Sequence, residues 1–256
     1  MDGGIFMADT LAERFDRLKP HITVYGPEDD LPRPAILLFH GCGGLRPHIH
    51  LYAETAVKSG LRAFVIDSLK PRGMGRTAAV SLVCTGMVLQ GYERSGDVLA
   101  SLWGISHRPD VLSDQIILAG WSHGGWSIMD LMTQPLTRAG EARLKDPDAA
   151  LMTRIKGLFL VYPYINFPAR SLTKPWIHKP PTTVVLAIND HLTPYKSART
   201  TFARLSADGL SLHSLSLKAS HAFDEETFSK GGPMAYDAEA VQASHDALTG
   251  LLAYLF

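Results

Sequence analysis

At residues 115–124 a strand-length apolar run, QIILA, leads straight into Gly120-Trp121-Ser122-His123-Gly124, and a helix-compatible stretch comes next. A continuous apolar run of that length suits a strand buried on both faces. The pentapeptide G-x-S-x-G is common by chance, but a strand before it and a helix after it are what a nucleophile elbow demands. In such a turn the serine is strained, and a side chain two residues to either side of it would collide with neighbouring chain. Its oxygen then stands at a helix N-terminus, where negative charge is favoured. This restricts the chain to folds in which a buried strand feeds directly into a helix. A glycine-rich turn around a buried serine is the bland alternative.

The rest of the chain repeats that grammar. Residues 21–25 are a weak strand signal, and 35–39 (AILLF) is an apolar run ending in a glycine cluster. Residues 47–58 can form a helix with Gly60 as its stop, and 61–66 form the next strand, ending at Asp67. Residues 68–91 are irregular, and the next helix carries Val98, Leu99, Leu102 and Trp103. Strands are expected at 156–161, 182–188 and 210–217, and a long helix at 235–256 with Val241, His245, Leu248, Leu251, Leu252 and Leu255 on one side. Alternating apolar strands and amphipathic helices predict an α/β fold with a mostly parallel, doubly wound sheet flanked by helices. No repeat or linker divides the 256 residues, so one domain is expected, with residues 1–20 as an N-terminal extension. Two connections are unusually long: 134–155, which is charged, and 163–181, which holds five prolines. The second comes after a strand end and should overhang the carboxyl edge of the sheet, where ligands bind.

Composition narrows the function classes. Lysine plus arginine equals aspartate plus glutamate at 25 each, so no basic excess points to nucleic acid. The longest apolar runs are far short of a membrane span, and the N-terminus lacks the character of a signal peptide. The two cysteines, Cys42 and Cys84, are too few for a disulfide framework and lack zinc-like spacing, which makes a cytoplasmic protein the default reading. His48 and His50 alternate as metal ligands can, but no acidic or thiol ligand is near, so they read as a solvated helix start.

A serine needs a base, and the base needs an orienting acid. In folds with this elbow they come in the order serine, acid, histidine. Asp190 is the first acidic residue past the 182–188 strand. Among eleven histidines, His221 lies just past the last strand, in Ser220-His221-Ala222-Phe223-Asp224. Asp67 and Asp224 are rival acids. The glycine-rich His40-Gly41-Cys42-Gly43-Gly44 can place a backbone N–H donor for an oxyanion, with Cys42 as the choice there and His123 as its partner. A nucleophilic Cys42 thiolate is the competing use of that residue.

Together, GWSHGG, HGCGG, the stretch 67–73 (DSLKPRG) and SHAFD resemble the dienelactone hydrolase family of α/β-hydrolases, from about residue 20 to the C-terminus. The resemblance implies Ser122 as nucleophile, Asp190 as acid and His221 as base, acting without cofactor or metal on a small-molecule ester or lactone. The founding members carry cysteine at the elbow, where this chain has Ser122, so the dienelactone substrate itself does not transfer. Arg72 is a candidate partner for a substrate carboxylate, or a tie within its own loop to Asp67. Tyr164, with Tyr162, is a candidate cleft residue, and Trp121 reads as core. A thioesterase, peptidase, acyltransferase or non-catalytic binding protein would use the same scaffold, and a homodimer is left open.

Overall fold

A computed structural model of the chain describes residues 9–75, 83, 88–227 and 232–256. Cys84 and parts of the 68–91 and N-terminal segments lie outside the described residues. Seven strands form one sheet: β1 (Ile22–Tyr25), β2 (Arg33–Phe39), β3 (Arg62–Ile66), β4 (Val111–Trp121), β5 (Ile155–Val161), β6 (Thr182–Asn189) and β7 (Leu212–Ser220). Their order is β1-β3-β2-β4-β5-β6-β7. Only β1 is antiparallel, pairing with β3 at one edge. The other six run parallel, so the carboxyl ends of β2, β4, β6 and β7 come to one rim. The expected fold class is the observed one.

The described helices are α1 (Leu11–Leu18), α2 (Pro47–Lys58), α3 (Gly91–Ser106), α4 (His123–Met132), α5 (Tyr195–Ala207) and α6 (Ala238–Leu255). Two cores divide between the sheet faces. Leu37, Phe39 and Leu118 point toward α1, α3, α4 and α5, while Ile36, Leu38 and Ile117 point toward α2 and α6. This alternation along strands buried on both sides explains why they read as unbroken apolar runs.

Two features have weak sequence signals. Helix α1 starts with a capping box, Thr10 and Glu13 satisfying each other's backbone N–H groups. It buries Leu11 and Leu18, together with Arg14, which donates to Asp97 on α3 at 2.8 Å. The long connection 134–155 also packs on this face, through buried Leu144, Leu151 and Met152. Among the described residues no helix is long and apolar enough to cross a membrane.

Candidate active site

Strand β4 ends at Trp121 and α4 begins at His123, so Ser122 occupies the turn between them without a spare residue. Its backbone sits at φ 49° and ψ −111°, a region a non-glycine residue enters only when its surroundings force it. The flanking glycines explain how. A Cβ on Gly120 would meet Gly125 N at 2.6 Å, and one on Gly124 would meet Phe39 O at 2.0 Å. Strand β2 and the elbow approach too closely for any side chain there.

Asp190 comes directly after β6, and His221 directly after β7. His221 Nε2 lies 2.9 Å from Ser122 Oγ, and its Nδ1 lies 2.7 Å from Asp190 Oδ2. The second oxygen of Asp190 accepts from the backbone N–H groups of Leu192 and Thr193, both at 2.8 Å, which fixes the carboxylate plane. Ser122 and His221 are nearly buried, at 6% and 3% exposure. The two rival acids are engaged elsewhere. Asp67 accepts from the backbone of Leu69 and Lys70, and Asp224 accepts from Trp121 Nε1 at 3.1 Å and from the Tyr162 hydroxyl.

Ser122 opens onto a cleft of about 170 Å³ lined by Cys42, Val83, Gln90, His123, Trp126, Tyr164, Phe167, Pro168 and Leu192. Cys42 and His123 thus stand beside the serine, and His123 is the first residue of α4, where backbone N–H groups lack intrahelical acceptors. Tyr164 belongs to the cleft, as do Phe167 and Pro168 from the proline-rich connection. Residues 134–155 contribute none of the cleft's described lining. Among the described lining side chains none is a lysine, arginine, aspartate or glutamate.

Some expectations change. Arg72 does not face the cleft. Its guanidinium is 4% exposed and grips Asp97 through two nitrogens, at 2.6 and 3.0 Å, while also donating to Ser68 O. Buried Asp97 is a stronger partner than Asp67, whose oxygen is held by its own turn. Cys42 is disulfide-bonded, so its sulfur is not a thiolate nucleophile. His48 is not solvated: it is 6% exposed, packed edge-on against Trp121 and 3.9 Å from Asp224. His50 shares a hydrogen bond with Tyr25 Oη at 2.7 Å. Trp121 is core, fully buried among Tyr52 and Phe159.

Sequence reasoning missed the polar support. Arg94, fully buried, donates from Nη1 to His40 O at 2.8 Å and approaches His123 Nδ1 at 3.2 Å. The other ring nitrogen of His123 lies 2.7 Å from Leu89 O, so Nε2 carries the proton and Nδ1 accepts. Burial first, then the Arg94 charge, bring the His123 pKa down to about 3, leaving a neutral ring whose two nitrogens are taken by Leu89 O and Arg94. On the opposite side Tyr162, at φ 34°, packs on His221 with ring centroids 4.7 Å apart. In α4, Asp130 accepts from Trp126 Nε1 and Arg170 N, each at 2.9 Å, and burial pushes its pKa up to about 7.

The dienelactone hydrolase family model matches residues 21–255. No curated protein sequence matches the chain. Among solved structures, a dienelactone hydrolase-like promiscuous phosphotriesterase from metagenomic libraries superposes with a TM-score of 0.66 at 16% identity, covering 92% of each chain. Thermogutta terrifontis esterase 2 phosphonylated by sarin gives 0.63 at 13% identity, covering 91% of this chain and 89% of that one. Its native form gives 0.61 at 15% identity, with 90% and 87% covered. At such identities the structural likeness speaks to the fold. The family match spans nearly the whole chain, and the chain belongs to the dienelactone hydrolase family.

Proposed function

We propose that this protein cleaves a carboxylic ester or lactone through an acyl-enzyme formed on Ser122. The observation that carries the reading is the continuous chain Ser122 Oγ–His221–Asp190, at 2.9 and 2.7 Å, ending on a serine held at positive φ. His221 Nε2 is placed to take the hydroxyl proton as Oγ attacks the carbonyl carbon, while Asp190 holds the Nδ1 proton and stabilises the imidazolium. The carbonyl oxygen becomes negative and is received by the backbone N–H groups of Cys42 and His123. Collapse expels the alkoxide, which takes the proton from His221. Water, deprotonated by His221, then attacks the acyl-enzyme and releases the acid. His123, neutral and hydrogen-bonded to Leu89 and Arg94, plays no part as base.

The cleft supports a further specification. Its described lining is aromatic and aliphatic with Gln90 as a polar group, and Arg72 is committed to Asp97. An uncharged acyl group with an apolar body therefore fits better than a carboxylate-bearing one.

The test is turnover of p-nitrophenyl acetate and of an uncharged aryl lactone, with intact-mass analysis after fluorophosphonate treatment, on wild type and Ser122→Ala. One adduct mapping to Ser122, and a fall in kcat of roughly 10⁴- to 10⁶-fold in the variant, are expected. Full activity in Ser122→Ala would sink the reading.

A further inference from the structure

We propose that Arg94 is a positioning residue for the oxyanion hole: its buried guanidinium fixes the two halves of that hole and holds a positive charge beneath the oxygen that becomes negative during acyl transfer. The inference rests on the reading of Ser122 as nucleophile.

The geometry is a three-way tie. One nitrogen of Arg94 donates to the carbonyl of His40, two residues before Cys42, and reaches the ring of His123, the other oxyanion residue. Through the far side of that ring it fixes Leu89 O, on the wall next to Gln90. The loop it holds already lies tight on the elbow, since a Cβ on Gly41 would touch the Ser122 side chain at 3.5 Å. A shift of His40 or His123 would move a donor relative to Ser122.

The remaining nitrogens are more telling. Among the described residues, Nε and Nη2 of Arg94 are buried without a hydrogen-bond partner and no carboxylate comes within ion-pair distance of the guanidinium. A desolvated charge without a direct counter-ion is costly to keep in a core for packing alone. Placed by a site where a full negative charge forms, it stabilises that charge more than water would. Burial pulls the Arg94 pKa down to about 10, so the cation persists at neutral pH. The charged and titratable groups facing it are Asp97 on its own helix, Arg72 and Asp67 across the loop, and the rings of His40 and His123. Both imidazoles are held below their ordinary range by burial, and both aspartates lie below theirs, so none of these four gains a titration at alkaline pH.

The experiment compares wild type with Arg94→Lys and Arg94→Met in p-nitrophenyl acetate hydrolysis from pH 6 to 10, alongside melting curves and inhibition by a trifluoromethyl ketone. Arg94→Met is expected to lose roughly 100-fold in kcat at nearly constant KM and to bind the ketone correspondingly less tightly. Its Tm should stay within about 5 °C of wild type, because the lost hydrogen bonds are offset by removing a buried charge. A buried lysine gives up its proton at lower pH than a buried arginine, so the descending limb of kcat should begin at clearly lower pH in Arg94→Lys than in wild type, whose limb starts only near pH 10. If Arg94→Met fails to fold, that limb alone decides: a Lys profile superimposable on wild type overturns the proposal. So does a folded Met variant with wild-type kcat. Wild type without turnover or adduct would instead remove the reading of Ser122 itself.

Discussion

Two buried polar clusters flank the end of strand β4, one on each face of the sheet, and they are built with opposite charge. On the α3–α4 side Arg94 is a cation served by neutral partners, the His40 carbonyl and the His123 ring. On the α2–α6 side Asp224 is an anion served by neutral donors, Trp121 Nε1 and the Tyr162 hydroxyl. The proposed reaction needs this asymmetry. Negative charge develops on the substrate oxygen, by the cationic cluster, and positive charge develops on His221, which packs on Tyr162 and so lies on the anionic side. Fixed charges on either face then oppose the charges that chemistry creates between them. The clusters differ in completeness too. Both oxygens of Asp224 have donors, whereas two nitrogens of Arg94 are unmet among the described residues. One is a finished structural network; the other carries a desolvation cost that activity would repay.

That contrast can be broken in graded steps. The largest effect beyond the serine itself should come from the carboxylate in direct contact with the base. Asp190→Asn keeps the shape but reverses the hydrogen-bond preference at His221 Nδ1, and kcat should fall by about 10³- to 10⁴-fold with little change in Tm. Asp224→Asn should behave in the reverse way. With two donors aimed at its oxygens, an amide nitrogen must face one of them, costing about 2–4 kcal/mol. Melting should therefore drop by roughly 5–15 °C, while kcat changes by less than about tenfold. Equal kinetic damage from both aspartates would erase the distinction between the base's own partner and its support.

The smallest effect concerns Asp130, beside the cleft tryptophan. Burial raises its folded pKa to about 7 from an ordinary 3.8, so the folded state binds the proton more tightly than the unfolded one. Its stabilising contribution is whole below about pH 4 and is lost as pH rises to about 7. Wild type should melt several degrees higher at pH 5 than at pH 8, and Asp130→Asn should flatten that slope. An identical slope in both proteins would assign the pH dependence to other groups.

Much of this is legible in the chain because strands β2 to β6 announce themselves by burial on both faces. Ser122, Asp190 and His221 each stand one residue past the carboxyl end of a strand, so locating β4, β6 and β7 locates them. Helix boundaries at 47–58 are equally clear, since Pro47 starts the first turn and Gly60 at φ 92° ends it. The hidden features depend on partners far away in sequence. Arg94 contacts residues 54 and 29 positions distant, and nothing local marks it as buried. Arg72 reads as a ligand contact because its partner Asp97 lies 25 residues on, in a helix whose apolar face is the stronger signal. His48 reads as solvated at a helix start; its neighbours Trp121 and Asp224 arrive from two other elements. Helix α1 escapes the pattern for a related reason: a charged residue, Arg14, occupies a core-facing position and blurs the apolar stripe.

That first helix has a practical meaning. The family match begins at residue 21, past α1. Yet Leu11 and Leu18 close the core over α3, and Arg14 shares Asp97 with Arg72, the residue that anchors the 67–73 turn. A chain begun at residue 21 would open that core to solvent and take one of two arginines from a buried carboxylate. The stretch that the family model matches and the stretch over which this core is packed are different measures of this molecule, and a boundary drawn by the first would cut through the second.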